Sequence, residues 1–136
     1  MAVLRRFAPD ALAGLFAVSG ALHLVRPGMF DPLIPPFLPV PGAVITLSGI
    51  AELVCAAGLA RRDRWAAPVS AALLVAIVPG NLWFAVATPD GPRPGWLTAA
   101  AWARLPFQLV LIWMALQARP ARLDTARPSI DTPNDR

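Results

Sequence analysis

Four apolar runs alternate along this chain with short stretches rich in proline, glycine or charge. The runs cover residues 9–25, 43–60, 65–87 and 98–117, and the stretches between them are 26–42, 61–64 and 88–97. Each run has the roughly 17 to 25 residues needed to cross a hydrocarbon core of about 30 Å. The intervening residues are the types that punctuate helices. The pattern predicts an all-α fold: an integral membrane four-helix bundle with short connections, forming one domain over residues 1–118. Residues 119–136 contain three prolines, several charges and almost no large apolar side chain, and are expected to form a disordered cytoplasmic tail.

Composition strengthens the membrane reading. Of 136 residues, 57% are hydrophobic and 15% charged, against about 25% charged in ordinary soluble domains, and the mean hydropathy is +0.57. The excess of apolar surface is too large for one small core, so the expected partner is the lipid bilayer. The net charge of +4 would suggest nucleic acid in a soluble chain. Here the arginines stand in short clusters between apolar runs, which points away from nucleic acid. Arg5, Arg6, Arg61, Arg62, Arg64, Arg119, Arg122, Arg127 and Arg136 all fall on one side of the predicted topology, and only Arg26 and Arg93 on the other. The positive-inside rule then places both termini and the second connection of this multi-pass chain in the cytoplasm. The first run, preceded by Arg5 and Arg6, has the length of a signal peptide. Three further spans and the polar His23 near its end predict that it is retained. The single cysteine, Cys55, excludes an internal disulfide, a paired-cysteine redox motif and a cysteine-based zinc site.

Function is to be sought where polar groups enter the apolar runs, because a charge at the centre of a span costs at least about 2.5 to 3.5 kcal/mol. Glu52 and Arg104 are such charges. Glu52 lies nine residues into the second run, about 13 Å deep at the helical rise of about 1.5 Å per residue. His23, Ser48, Asn81 and Gln108 fall at similar depth in the outer half, so all four spans feed one polar cluster. Ser19 and His23, Ser48 and Glu52, and Arg104 and Gln108 are each four residues apart, which puts each pair on one helix face. Two readings follow for Glu52 and Arg104: a buried ion pair that pins the second and fourth spans in register, or part of a ligand pocket with His23, Ser48, Asn81 and Gln108. His23 and Glu52 offer too few ligands for a metal site. There is no nucleophile constellation or nucleotide loop, hence no autonomous catalytic motif.

Shape cues accompany these groups. Pro79 and Pro106 lie inside spans and are expected to kink them, leaving a carbonyl to be met by a partner helix, a water or a ligand. Small residues recur every fourth position as Ala13, Ala17 and Ala21 and as Ala72, Ala76 and Gly80, a spacing that permits close helix approach. Residues 26–42, RPGMFDPLIPPFLPVPG, hold six prolines and many large apolar side chains. Such a segment is expected to lie as a stiff cover over the outer mouth of the bundle.

With these residues in view, the chain resembles the DoxX-like family of small four-helix membrane proteins. The resemblance runs from about Phe16 to Trp113 through SGALHLVRPGMFDPLIPPFLP, LSGIAELVCAAGLARRDR, VAIVPGNLWFA and ARLPFQLVLIW. It implies an integral inner-membrane protein with a four-helix core, whose relatives include proteins associated with quinone-reducing sulfur oxidation and with membrane-bound oxidative-stress complexes. The lack of a cysteine pair departs from redox-active relatives and speaks against an autonomous thiol oxidoreductase. The expected function is a binding or accessory subunit that holds a hydrophobic small molecule, a quinone or lipid, for a membrane redox complex, with homo-oligomers also in view. The alternatives are a small transporter or exporter subunit and a purely structural scaffold.

Overall fold

Proline placement decides where most helices of this chain begin and where one of them breaks. The computed structural model describes residues 2–87 and 94–118, with side chains from residue 7 onward; the expected tail and most of the third connection lie outside the described residues. Five helices follow in order: α1 (Ala2–Val25), α2 (Pro41–Ala60), α3 (Ala66–Ala76), α4 (Val78–Val86) and α5 (Gly95–Gln117). Pro41 opens α2 at a position whose amide would have no partner in any case. Pro79 sits in the first turn of α4. It offers no amide to the Val75 carbonyl and its ring crowds the preceding turn, so the third apolar run is two helices that part at Ile77 rather than one. Pro106 lies inside α5, which continues through it without a break. Among the described residues there is no strand.

The connection from α2 to α3 is closed by backbone chemistry. Arg62 takes a left-handed conformation (φ 60°), its amide reaches the Leu59 carbonyl at 3.0 Å, and the Asp63 amide reaches the Gly58 carbonyl at 2.9 Å. These are the two bonds of a Schellman ending. The Arg62 guanidinium then meets Asp10 of α1 at 2.7 Å, tying this turn to the first helix. Trp65 lies over Gly58 so closely that a Cβ there would stand 2.6 Å from the indole ring.

Among the described residues, four spans are long and apolar enough to cross a membrane: Phe7–Val25, Pro41–Ala60, Ala66–Val86 and Gly95–Gln117. Their large apolar side chains point outward on every helix, as Val18, Leu47, Val75 and Leu109 do, while Glu52, Asn81 and Gln108 are buried. Apolar outside and polar inside is the arrangement suited to lipid, in which an open apolar surface carries no penalty. The fold is therefore compatible with a multi-pass membrane protein.

The two ends of the bundle differ. At one pole Leu12 and Phe16 of α1, Cys55 and Leu59 of α2, Ala66 and Leu74 of α3 and Ala115 of α5 pack into a single apolar core. At the other pole α4 has turned away after the break at Ile77. It packs on α5 and on the short turn Asp31–Leu33, with no substantial contact to α1 or α2. The small-residue stripes expected from spacing contribute unevenly: Ala17, Ala21 and Ala72 are exposed, Ala76 lines a cavity, Ala13 packs on the core and Gly80 meets the Leu33 carbonyl.

One position at the open pole carries strain. Val40, wedged between Pro39 and Pro41, adopts φ 57°, ψ 59° as the residue before α2, a region that a β-branched side chain rarely enters. The left-handed conformation costs a side-chain-bearing residue about 1 to 2 kcal/mol, and glycine gives back about 0.5 to 1 kcal/mol of that through its freer unfolded chain. Because Val40 is exposed, Val40→Gly should raise stability by about 0.5 to 1 kcal/mol. A thermal melt of the detergent-solubilised protein checks this, and a lowered midpoint would show that the strain is relieved elsewhere.

Candidate functional site

The site begins at the crossing of α1 and α2. A Cβ at Gly20 would lie 2.7 Å from the Gly49 carbonyl oxygen, and one at Gly49 would lie 2.6 Å from the His23 Cβ and 3.1 Å from the Gly20 carbonyl oxygen. Only glycine at both positions allows the backbones this near. The crossing is made by two matching pentapeptides, Ser19-Gly20-Ala21-Leu22-His23 and Ser48-Gly49-Ile50-Ala51-Glu52. In each, serine-glycine sits one turn before the functional side chain, so the crossing brings His23 against Glu52.

Glu52 Oε2 lies 3.5 Å from His23 Nδ1, and Nδ1 lies 2.8 Å from the Ser19 carbonyl oxygen. A carbonyl can only accept, so Nδ1 carries a proton and the other ring nitrogen, Nε2, is left for a further partner. Oε2 itself has no hydrogen-bond partner among the described residues, although Glu52 is only 3% exposed. Ser48, one turn away, donates to the Ile45 carbonyl at 2.9 Å. The imidazole stacks on Phe30, with ring centroids 3.5 Å apart and an interplanar angle of 21°.

The opposite wall is built at the broken span. The Asn81 amide nitrogen donates to Gln108 Oε1, and Gln108 Nε2 donates to the Leu74 carbonyl. A side chain of α5 thus occupies a carbonyl in the last turns before the break. Arg104 stands on the same helix one turn before Gln108. It acts on the Glu52 charge through space but makes no direct ion pair with it among the described residues. The expected pin between the second and fourth spans is therefore not formed. The glycine crossing turns the Glu52 carboxyl toward α1 instead, where it meets His23.

Between these walls lies a cavity of about 460 Å³, lined by all six residues singled out from sequence: His23, Ser48, Glu52, Asn81, Arg104 and Gln108. Most of the remaining lining is apolar, including Phe16, Ile45, Leu74 and Phe107. The proline-rich connection covers it. Phe30 rests on His23, the Leu33 carbonyl would be 2.9 Å from a Cβ on Gly80, and Phe37 meets Trp83 edge to face at 6.4 Å. Sequence reasoning missed Phe30 as the platform for His23 and the Gly20–Gly49 contact. The repeated Ser-Gly before His23 and Glu52 was the available signal for the second. Nothing local marked Phe30, whose role depends on how the connection folds back.

A family model described as a domain of unknown function, DUF8561, matches residues 12–119. The chain belongs to the DUF8561 family. The matched residues run from the core end of α1 through α5 and include every polar group of the cavity. No curated protein matches, nor does any solved structure. Among the described residues of this DUF8561 chain, no group of three or more His, Cys, Asp or Glu side chains is arranged to hold a metal ion. What the cavity offers is hydrogen bonding and charge in an apolar setting: an unengaged carboxylate oxygen, an imidazole nitrogen and a guanidinium. Such a combination orients an amphipathic guest and can pass a proton to or from it.

Proposed function

We propose that this protein is an integral membrane binding or accessory subunit that holds a hydrophobic small molecule, a quinone or a lipid, in the cavity between α1, α2, α4 and α5. The observation that carries the reading is the unpartnered Oε2 of Glu52, buried in a cavity of about 460 Å³ whose other walls are mostly apolar. A buried polar atom without a partner costs about 1 to 3 kcal/mol. A chain that served only as scaffold gains nothing from keeping it beside so much unfilled space. Ligand sites are typically mostly apolar with a few convergent polar groups, and this cavity has that make-up. The resemblance to DoxX-like proteins supports a membrane redox complex as the partner. The arginine distribution supports an orientation with both termini in the cytoplasm of a bacterial inner membrane, which puts the cavity in the outer half of the bilayer.

Native mass spectrometry of the gently purified protein, with extraction and identification of bound lipids and quinones, tests the reading. We expect a retained small molecule on the wild-type chain. Glu52→Gln keeps the shape and removes the charge, and should lower that occupancy at least fivefold while the melting temperature moves little. An empty wild-type protein, or a variant that melts early yet retains the same molecule, would assign the cluster to folding instead.

A further inference from the structure

Most polar groups around the cavity are already engaged, and the few that are not define what a guest must bring. The Asn81 amide nitrogen is taken by Gln108, the Gln108 amide nitrogen by the Leu74 carbonyl, the Ser48 hydroxyl by the Ile45 carbonyl and His23 Nδ1 by the Ser19 carbonyl. Three groups remain facing the space, Glu52 through Oε2, His23 through Nε2, and Arg104. Arg104 cannot lose its proton. Glu52 is the one acid among the cavity-lining residues. The groups that face the Glu52 carboxyl, His23 Nδ1–H at 3.5 Å and Arg104 across the cavity, are donors, so Oε2 is placed to accept a hydrogen bond.

Resting on the pocket reading above, we infer that the cavity selects an apolar molecule whose polar end carries a hydroxyl, donated to Glu52 Oε2, over the same molecule bearing an ether or a bare carbonyl there. The hydroxyl fills the buried acceptor Oε2, which has no partner among the described residues, and Arg104 supplies donors for lone pairs at the same polar end. An ether or carbonyl brings only acceptors. It satisfies Arg104 but sets its own lone pairs against those of Oε2 and leaves that atom without a donor. Phenolic molecules, hydroxyl-bearing lipids and the reduced form of a quinone belong to the favoured class, while methylated forms and the oxidised quinone bind more weakly. Hydrogen bonds to a charged group are strong enough for the difference to reach roughly tenfold or more in affinity.

The test is a competition on the full chain in detergent micelles. Equal concentrations of para-heptylphenol and its methyl ether are added, and the two adducts, which differ by one methylene, are read together by native mass spectrometry. We expect the phenol adduct to exceed the ether adduct by roughly tenfold or more on the wild-type protein, and Glu52→Gln to narrow the ratio to about threefold or less. The wild-type ratio decides even if the variant does not fold. Equal adducts, an excess of the ether, or a ratio that Glu52→Gln leaves unchanged would overturn the inference while the pocket reading stands, since a guest is bound. If neither probe binds but the purified protein retains another molecule, the inference alone falls. If neither binds and the protein is empty, both fall.

Discussion

Gly49→Val should lower the stability of the protein by about 3 kcal/mol, at the upper end of what overpacking a tight interior costs. The first atom of any side chain at Gly49 would stand 2.6 Å from the His23 Cβ and 3.1 Å from the Gly20 carbonyl oxygen. Neither neighbour is the far end of a flexible chain. One belongs to the base of a buried histidine and the other to helix backbone, so α1 and α2 must separate. Separation breaks the most extensive helix contact in the molecule, and dispersion between close-packed helices is the main attraction available once lipid has removed the hydrophobic drive. Gly14→Val is the matched control, because nothing lies within 4 Å of a Cβ at that position on the same helix pair. Its melting temperature should stay near that of the wild type. The loss at Gly49 should also extend to binding, since the displaced His23 no longer meets Glu52. If the two valine variants melt together, the glycine crossing does not hold the site.

That crossing marks the boundary of what the sequence made legible. Span number and rough limits followed from apolar run length, a property that each segment carries by itself. The polar cluster followed as well: once depth is counted at a fixed rise per residue, His23, Ser48, Glu52, Asn81, Arg104 and Gln108 fall at one level, and they line one cavity. Depth, however, does not give azimuth. Which neighbour Glu52 faces depends on the rotation of α2 about its own axis, and that rotation is set by contact at Gly49 rather than by attraction to a distant charge. Hence Glu52 meets His23 at 3.5 Å, whereas Arg104 acts only across the cavity. The alanine stripes misled for a related reason. In a chain so rich in alanine, four-residue spacing recurs by chance, while a glycine paired with glycine on the facing helix does not need to recur to be decisive.

Pro79 and Pro106 show the same limit from the side of the backbone. Both remove an amide from a helix, yet only the one followed by glycine separates two helices. Pro79 is followed by Gly80, against whose Cα the Leu33 carbonyl packs, so α4 has a new partner to turn toward once the ladder is broken. Pro106 lies between Leu105 and Phe107 in α5, which runs through it unbroken. A proline thus permits a break, and a tertiary contact takes it up. The cavity is the space left when α4 leaves α2 and turns toward α5 and the covering connection.

Gln108→Leu tests what holds that broken span in place, and it should cost about 2 kcal/mol, more than any other single polar substitution on the α4–α5 wall. Interhelical hydrogen bonds in membranes average only about 0.6 kcal/mol, so the loss of two bonds alone would give little more than about 1 kcal/mol. The larger figure comes from what is left behind. Without Gln108, the Leu74 carbonyl and the Asn81 amide nitrogen both lose a partner in an apolar interior, and each unsatisfied group adds its own desolvation penalty. Asn81→Leu removes the same Asn81–Gln108 bond but leaves the Gln108–Leu74 bond in place, so it should cost about half as much. Adding Asn81→Leu to Gln108→Leu should then recover part of the loss, because the stranded Asn81 amide is gone and only the Leu74 carbonyl remains unmet. Thermal or denaturant unfolding of the two single variants and the double variant in one detergent gives the cycle. Strict additivity would mean that Gln108 serves Asn81 and Leu74 independently and that the span is held by the Leu33–Gly80 contact alone. A double variant more stable than Gln108→Leu would identify the amide pair as the clasp that fixes α4 against α5 and keeps the cavity open.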